Sequence, residues 1–216
     1  MQALVFANGE LSDGPMVRRA LDFAINPMIV AADGGARNAM HLGLRIDMLI
    51  GDMDSLPAAE VTRLEKQNAT IHRYPIEKDE TDLELTLKRV VGAGATWIRI
   101  IGGLGGRLDQ TLANLYLLAL PELTDCDVRL VAGNQEAWLL RPGKHHIYGT
   151  SGDTVSLLPL TEKVAGIRTG NLHYPLQDET LTFGPARGIS NVMQDISAWV
   201  ELQKGLLLLV HSVGQT

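Results

Sequence analysis

The sequence predicts an α/β protein: an N-terminal parallel-sheet domain followed by a C-terminal all-β sandwich. Two patterns carry this reading. Up to about residue 132, six short apolar runs alternate with stretches whose apolar residues recur three and four apart. That alternation describes βα units, which place a parallel sheet between helical layers. After Gly133 the texture changes, and turn signals recur at about the 8 to 12 residue spacing of a sandwich or barrel.

The apolar runs are Ala3–Ala7, Met28–Ala32, Met48–Ile50, Thr70–Tyr74, Trp97–Ile101 and Val128–Ala132, each of strand length. Between them, Leu83, Leu87 and Val90 share one helical face, as do Leu108, Leu112, Leu115 and Leu118, so each set predicts a helix with one buried side. Thr81-Asp82-Leu83-Glu84 fits a capping box, with Thr81 as N-cap and Glu84 as its reciprocal partner. In the second half the turns are Arg141-Pro142-Gly143-Lys144, Ser151-Gly152-Asp153, Gly170-Asn171 and Gly184-Pro185, separated by short segments such as Val155–Leu158 and Leu206–His211. The expected domains are residues 1–134 and 135–216.

Composition narrows the function. With 216 residues, 45 % hydrophobic and 20 % charged, the chain is too apolar for disorder and has no collagen-like or coiled-coil bias. Lys plus Arg is 19 and Asp plus Glu is 25, a net charge of −6, with no basic stretch to grip a polyanion; this balance argues against nucleic acid as a partner. Cys126 stands alone, so no disulfide framework and no Cys-rich zinc site exists within the chain. The N-terminus lacks the charged and apolar regions of a signal peptide, and the Leu206–Val210 run is far short of the roughly 20 residues that span a bilayer. A cytoplasmic protein with no membrane partner is expected.

In an open parallel sheet, ligands sit outside the carboxyl ends of the strands. Here those ends carry Asn8-Gly9, Asp33-Gly34-Gly35, Gly51-Asp52-Met53-Asp54-Ser55, Lys78-Asp79-Glu80-Thr81-Asp82 and Gly102-Gly103-Leu104-Gly105-Gly106-Arg107-Leu108-Asp109. In an extended loop Asp52 and Asp54 leave on the same side, about 6 to 7 Å apart. Two such carboxylates, joined by Asp82, form an all-oxygen donor set suited to Mg²⁺. Four glycines within Gly102–Gly106 let backbone N–H groups converge on an anion, and Lys78 and Arg107 add cations for polyphosphate. The glycine spacing is neither a P-loop nor a dinucleotide fingerprint. The six histidines show no metal-ligand spacing, and no Ser, Cys or His sits as an evident nucleophile beside a base.

Four ordered motifs then resemble one family. Ala32-Asp33-Gly34-Gly35-Ala36, Gly51-Asp52-Met53-Asp54-Ser55, Lys78-Asp79-x-Thr81-Asp82 and Gly102-Gly103-x-x-Gly106-Arg107-x-Asp109-Gln110 are similar to those of the thiamine pyrophosphokinase family. The resemblance continues through Arg141-Pro142-Gly143-Lys144-His145, Asn171-Leu172-His173-Tyr174-Pro175-Leu176 and Phe183-Gly184-x-x-x-Gly188-Ile189-Ser190-Asn191. It implies diphosphoryl transfer from ATP to the thiamine hydroxyl with release of AMP, in a homodimer with active sites between subunits. By motif, Asp52, Asp54 and Asp82 would ligate Mg²⁺. Asp33, Lys78, Arg107, Asp109 and Gln110 would line the nucleotide and diphosphate path, and Tyr174, Ser190 and Asn191 would approach thiamine. The expected chemistry is in-line attack of the hydroxyl on the β-phosphorus, with Arg107 at the reacting phosphates and Asp79 or Asp109 taking the proton. Alternatives are a pyrophosphokinase for a pterin alcohol, or a non-catalytic nucleotide or thiamine sensor.

Overall fold

The computed structural model describes residues 1–214. The chain divides into two compact units, Met1–Gly133 and Asn134–Thr216.

The first unit contains six strands: β1 (Gln2–Phe6), β2 (Met28–Ala32), β3 (Met48–Gly51), β4 (Thr70–Arg73), β5 (Trp97–Ile101) and β6 (Asp127–Ala132). All are parallel, in the order β6-β5-β1-β2-β3-β4. Helices α1 (Pro15–Phe23), α2 (Ala36–His41), α3 (Ala58–Lys66), α4 (Asp82–Gly92) and α5 (Leu108–Leu117) connect them. Helices cover both faces, so the inner strands are apolar on both sides and read as continuous runs: Ala3, Leu4, Val5 and Phe6 are all buried. Leu4, Phe6, Ile29, Ala31 and Leu49 pack with Met16, Val17, Val61 and Leu64.

The order of strands reverses between β1 and β5. Beyond their ends the two loops are laced together: the Gly9 amide donates to the Gly102 carbonyl (2.7 Å) and the Glu10 amide to that of Leu104 (3.0 Å). Such a reversal opens a crevice at the strand ends. Among the described residues no helix is long and apolar enough to cross a membrane.

Three local expectations meet different outcomes. On α4, Leu83, Leu87 and Val90 are buried as their spacing requires, and Thr81 caps the helix by accepting the Glu84 amide at 3.2 Å. The Glu84 carboxylate turns instead to Lys88, 2.7 Å away one turn on. On α5 the leucine periodicity holds only toward the C-terminal end: Leu118 is buried and Leu115 half-buried, but Leu108 (73 %) and Leu112 (42 %) are exposed, with Tyr116 beside them (58 %), and within the helix the buried side chain is Asn114. Asn114 donates to the Gly103 carbonyl at 2.7 Å, so α5 is fastened to the glycine loop by a polar contact.

The second unit is a sandwich of two antiparallel sheets. One orders β12 (Asn191–Val192), β9 (Thr154–Pro159), β14 (Leu207–Ser212) and β7 (Gln135–Leu140); the other orders β11 (Gln177–Thr182), β10 (Lys163–Gly170), β13 (Ser197–Leu202) and β8 (Gly143–Tyr148). Alternate residues point inward, so Val155 and Leu157, Ala198, Val200 and Leu202, and Leu207 and Leu209 share one core with Trp138 and Leu140.

One polar group closes this unit. Asp153 is 4 % exposed, meets His211 Nε2 at 2.9 Å, and accepts the amides of Thr150 and Gly214, each at 2.9 Å. Burial pushes its carboxyl up, but the two amides and His211 outweigh it and hold the group below the usual carboxylate range. A carboxylate depressed in the folded state stabilises above the unfolded value and loses that contribution as pH falls through the folded one. Asp153→Asn should therefore lower Tm at pH 7, by the equivalent of about 1–3 kcal/mol, and flatten the decline of Tm below about pH 4. Parallel curves for variant and wild type in thermal circular dichroism from pH 7 to 3 would refute this.

Candidate active site

Each acidic residue of the cleft is placed by the end of a strand. Asp33 follows β2 directly and opens a short 3₁₀ turn; its φ of 41° lies in the left-handed region, which aspartate tolerates better than most residues. It is 4 % exposed. Asp52 follows β3, and its Oδ1 accepts the Asp54 amide (3.1 Å), closing an Asx turn. Asp82 occupies the first position of α4, where a negative charge complements the helix N-terminus. One carboxylate oxygen from each of Asp33, Asp52 and Asp82 lies within 4.8 Å of the others.

Lys78 is set among them, its side chain only 12 % exposed. Its Nζ donates to Asp52 Oδ2 (3.3 Å) and to the Pro75 carbonyl (3.0 Å), and forms an ion pair with Asp82 Oδ1 (3.1 Å) without hydrogen-bond alignment. Three negative charges therefore face one positive charge. Asp33 Oδ1 and Asp82 Oδ1 are buried without a hydrogen-bond donor. Burial pushes Asp82 above the usual carboxylate range and the charges of Asp52 and Asp33 add to the push, with Lys78 opposing. Burial acts the same way on Asp52, but the Asp54 amide and Lys78 prevail and hold it low. Uncompensated carboxylates with oxygens facing one point, and neither His nor Cys among them, suit a hard divalent cation.

These groups line a cleft of about 530 Å³ at the strand reversal, together with Asn8, Glu10, Asp54, Gly103, Gly105, Gly106, Arg107 and Gln110. The sequence-predicted residues sort unevenly. Asp33, Lys78, Asp52 and Asp82 come together. Asp54 lines the cleft from an exposed position, because Met53 has a φ of 66° and the same-side geometry of an extended loop does not apply. Arg107 and Gln110 line the wall. Asp109 is outside that lining; it is exposed, pairs with Arg107 Nη2 at 2.5 Å, and accepts the Gln110 amide at 2.9 Å. Asp79 is exposed and also outside the lining.

In the second unit, Tyr174, Ser190 and Asn191 gather at one end of β12. Asn191 is 5 % exposed, and its side chain is engaged at both ends by the Tyr174 backbone: Oδ1 accepts the amide (2.9 Å) and Nδ2 donates to the carbonyl (2.7 Å). The Tyr174 ring is 65 % exposed and meets His173 edge-on, 4.5 Å between centroids. Ser190 has a φ of 58°, and its amide donates to Ser156 Oγ at 3.0 Å.

Sequence reasoning passed over several supporting residues. Asn38 donates to the carbonyls of Ala7 (2.8 Å) and Gly9 (3.0 Å), fixing the β1 loop. Arg37 donates to the Ser55 carbonyl and so braces the Asp52–Ser55 turn. Glu10 lines the wall beside Gly105. An asparagine set between apolar pairs, as Asn114 is between Leu112-Ala113 and Leu115-Tyr116, is the kind of signal that could have revealed such a contact.

A parallel sheet with a cleft at its strand reversal, an acidic cluster, a glycine-rich loop and flanking cations defines a nucleotide-dependent phosphoryl-transfer enzyme. Two family models match this chain: "Thiamin pyrophosphokinase, catalytic domain" over residues 23–130 and "Thiamin pyrophosphokinase, vitamin B1 binding domain" over residues 144–207. The chain belongs to the thiamin pyrophosphokinase family. It is 29 % identical over 184 residues to the thiamine pyrophosphokinase of Bacillus subtilis, covering 85 % of this chain and 86 % of that one. The crystal structure of thiamine pyrophosphokinase from that organism superposes with a TM-score of 0.87 at 25 % identity over 99 % of both chains. That of the Geobacillus thermodenitrificans enzyme gives 0.83 at 27 % identity, over 98 % of this chain and 97 % of that one.

Proposed function

We propose that this chain transfers the terminal diphosphoryl group of ATP to the hydroxyl of thiamine, giving thiamine diphosphate and AMP, in the strand-end cleft of its first unit. The observation that carries this is the meeting of Asp33, Asp52 and Asp82, two of them with buried, undonated oxygens, beside a glycine loop and Arg107. Those three carboxylates would hold Mg²⁺, and Asp54 at the rim adds a further carboxylate to the donor set. Bound there, the ion would supply charge neutralisation at the transferring phosphates.

The remaining work belongs to the chain. The amide of Gly106, where φ is 74°, can face phosphate oxygens at close range, while that of Gly105 is held by Thr111 Oγ1 at 3.2 Å; the Arg107 fork suits the same oxygens. Gln110, in the first turn of α5, adds its side-chain amide to the same wall. The thiamine hydroxyl attacks the β-phosphorus as the bond to the α-phosphate oxygen breaks, and AMP leaves with that oxygen. A loose transition state asks little of a base. Arg107 pairs with Asp109, so we assign the orientation of Arg107 to Asp109; Asp79 is exposed outside the cleft lining, so a proton that reaches it from the hydroxyl travels through water. In the second unit Tyr174 and Ser190 would meet the thiamine pyrimidine, with Asn191 holding Tyr174 in place.

The assay is direct: ATP, Mg²⁺ and thiamine should yield AMP and thiamine diphosphate in equal amounts. AMP formed only with a pterin alcohol would move the substrate. Nucleotide or thiamine binding without AMP would make the chain a sensor. A homodimer is also proposed, supported by the exposed Leu108, Leu112 and Tyr116 on α5. Leu112→Glu should then shift the sedimentation coefficient toward a monomer, and an unchanged coefficient would place the contact elsewhere.

A further inference from the structure

Lys78 is an unusual candidate for binding polyphosphate, because its ammonium already has partners. Two carboxylates and the Pro75 carbonyl surround Nζ, and the side chain is 12 % exposed. Both carboxylates belong to the cluster of Asp33, Asp52 and Asp82 that suits a divalent cation. A lysine and an ion of double charge compete for those oxygens, since like charges about 4 Å apart repel strongly even at the dielectric of a protein surface. Without any cation, the three carboxylates would repel one another just as strongly. The four-carbon stem of lysine is flexible, and its charge is compact. Pro75, three residues earlier, offers its carbonyl as a pivot outside the acidic cluster.

We infer that Lys78 is the built-in counter-ion of the metal-free cluster and that the entering divalent ion displaces it from Asp52 and Asp82 into the cleft, where it becomes available to polyphosphate. This rests on the reading of Asp33, Asp52 and Asp82 as metal ligands. The lysine then performs two functions in succession. It keeps the acidic cluster assembled before loading, and it delivers a positive charge to the nucleotide only after loading. Metal and polyphosphate binding are coupled through one side chain, and by linkage the coupling is reciprocal.

The test needs no turnover. Mn²⁺ alone is titrated into wild type, Lys78→Met, Lys78→Gln and Asp33→Asn, and free ion is followed by electron paramagnetic resonance. Displacement predicts that Lys78→Met binds Mn²⁺ at least tenfold more tightly than wild type, has a lower metal-free Tm, and gains more Tm on adding the ion. Lys78→Gln repeats the measurement should the methionine variant fold poorly. Tripolyphosphate titrated into wild type should bind more tightly with Mn²⁺ present, and the gain should be smaller in the lysine variants. Mn²⁺ affinity equal to or weaker than wild type in both lysine variants would overturn the inference and make Lys78 a phosphate ligand only. If Asp33→Asn also binds Mn²⁺ like wild type, the metal reading itself falls; if Asp33→Asn weakens binding, only the displacement does.

Discussion

Asp82→Asn should lower kcat by about 10²- to 10⁴-fold at saturating Mg²⁺, ATP and thiamine, with the fold intact. The substitution keeps the shape of the side chain at the first position of α4, and the Thr81 cap does not depend on it. It removes one of the three charges that converge on the proposed ion. Metal-mediated charge stabilisation is worth several kcal/mol, and about 3–5 kcal/mol corresponds to the stated range in rate. Stability should hardly suffer, because burial and the charges of Asp52 and Asp33 offset what Asp82 gains from its ion pair with Lys78. Steady-state kinetics beside a thermal melt separates the two effects. A variant retaining more than about a tenth of wild-type kcat would remove Asp82 from the chemistry.

The largest effect on stability is expected from Gly35→Ala. Gly35 has an ordinary helical backbone, so the obstacle is space. A methyl group there would run into the Phe6 carbonyl and the Ala7 backbone, which are held in a strand paired on both sides. Neither can yield as a flexible side chain could, so the turn carrying Asp33 must move. Overpacking against fixed backbone should cost about 2–4 kcal/mol, or about 5–15 °C in Tm for a chain of this length. The displaced Asp33 should weaken Mn²⁺ binding as well. Gly92→Ala in α4, where an added Cβ meets nothing within 4 Å, is the matched control and should leave Tm unchanged or slightly higher. Equal melts for the two variants would refute the steric argument.

The contrast between these glycines shows what a linear sequence can convey. The strands of the first unit were legible almost residue for residue, because β1, β2 and β3 read as nearly continuous apolar runs, and β5 keeps that texture around the single charge of Arg99, which is buried against Asp127. The convergence of acidic segments at one end followed from topology alone. Three features were not legible. Extended-loop geometry placed Asp54 beside Asp52, but with the left-handed backbone of Met53 between them Asp54 stands exposed at the rim of the cleft, and it is Asp33 whose carboxylate groups with those of Asp52 and Asp82. Leucine spacing on α5 announced a buried face, yet periodicity records only that a face is apolar and not what covers it. The pairing of Lys78 with Asp82 is a local i,i+4 contact, but its pairing with Asp52 spans 26 residues and depends on β3 and α4 meeting in space. The Asn114 contact with Gly103 is tertiary in the same sense.

The reversal of strand order has a consequence for biosynthesis. β1 precedes every other described strand in synthesis, yet its neighbour on one side, β5, begins at Trp97. At ordinary rates of about 5–20 residues per second, roughly 5–20 s of translation separate the two. Throughout that interval the apolar segment Gln2–Phe6 presents an open edge that any other nascent chain could extend. Crowded expression hosts should therefore lose more of this protein to inclusion bodies when elongation stalls between residues 30 and 95 than when it stalls after 110.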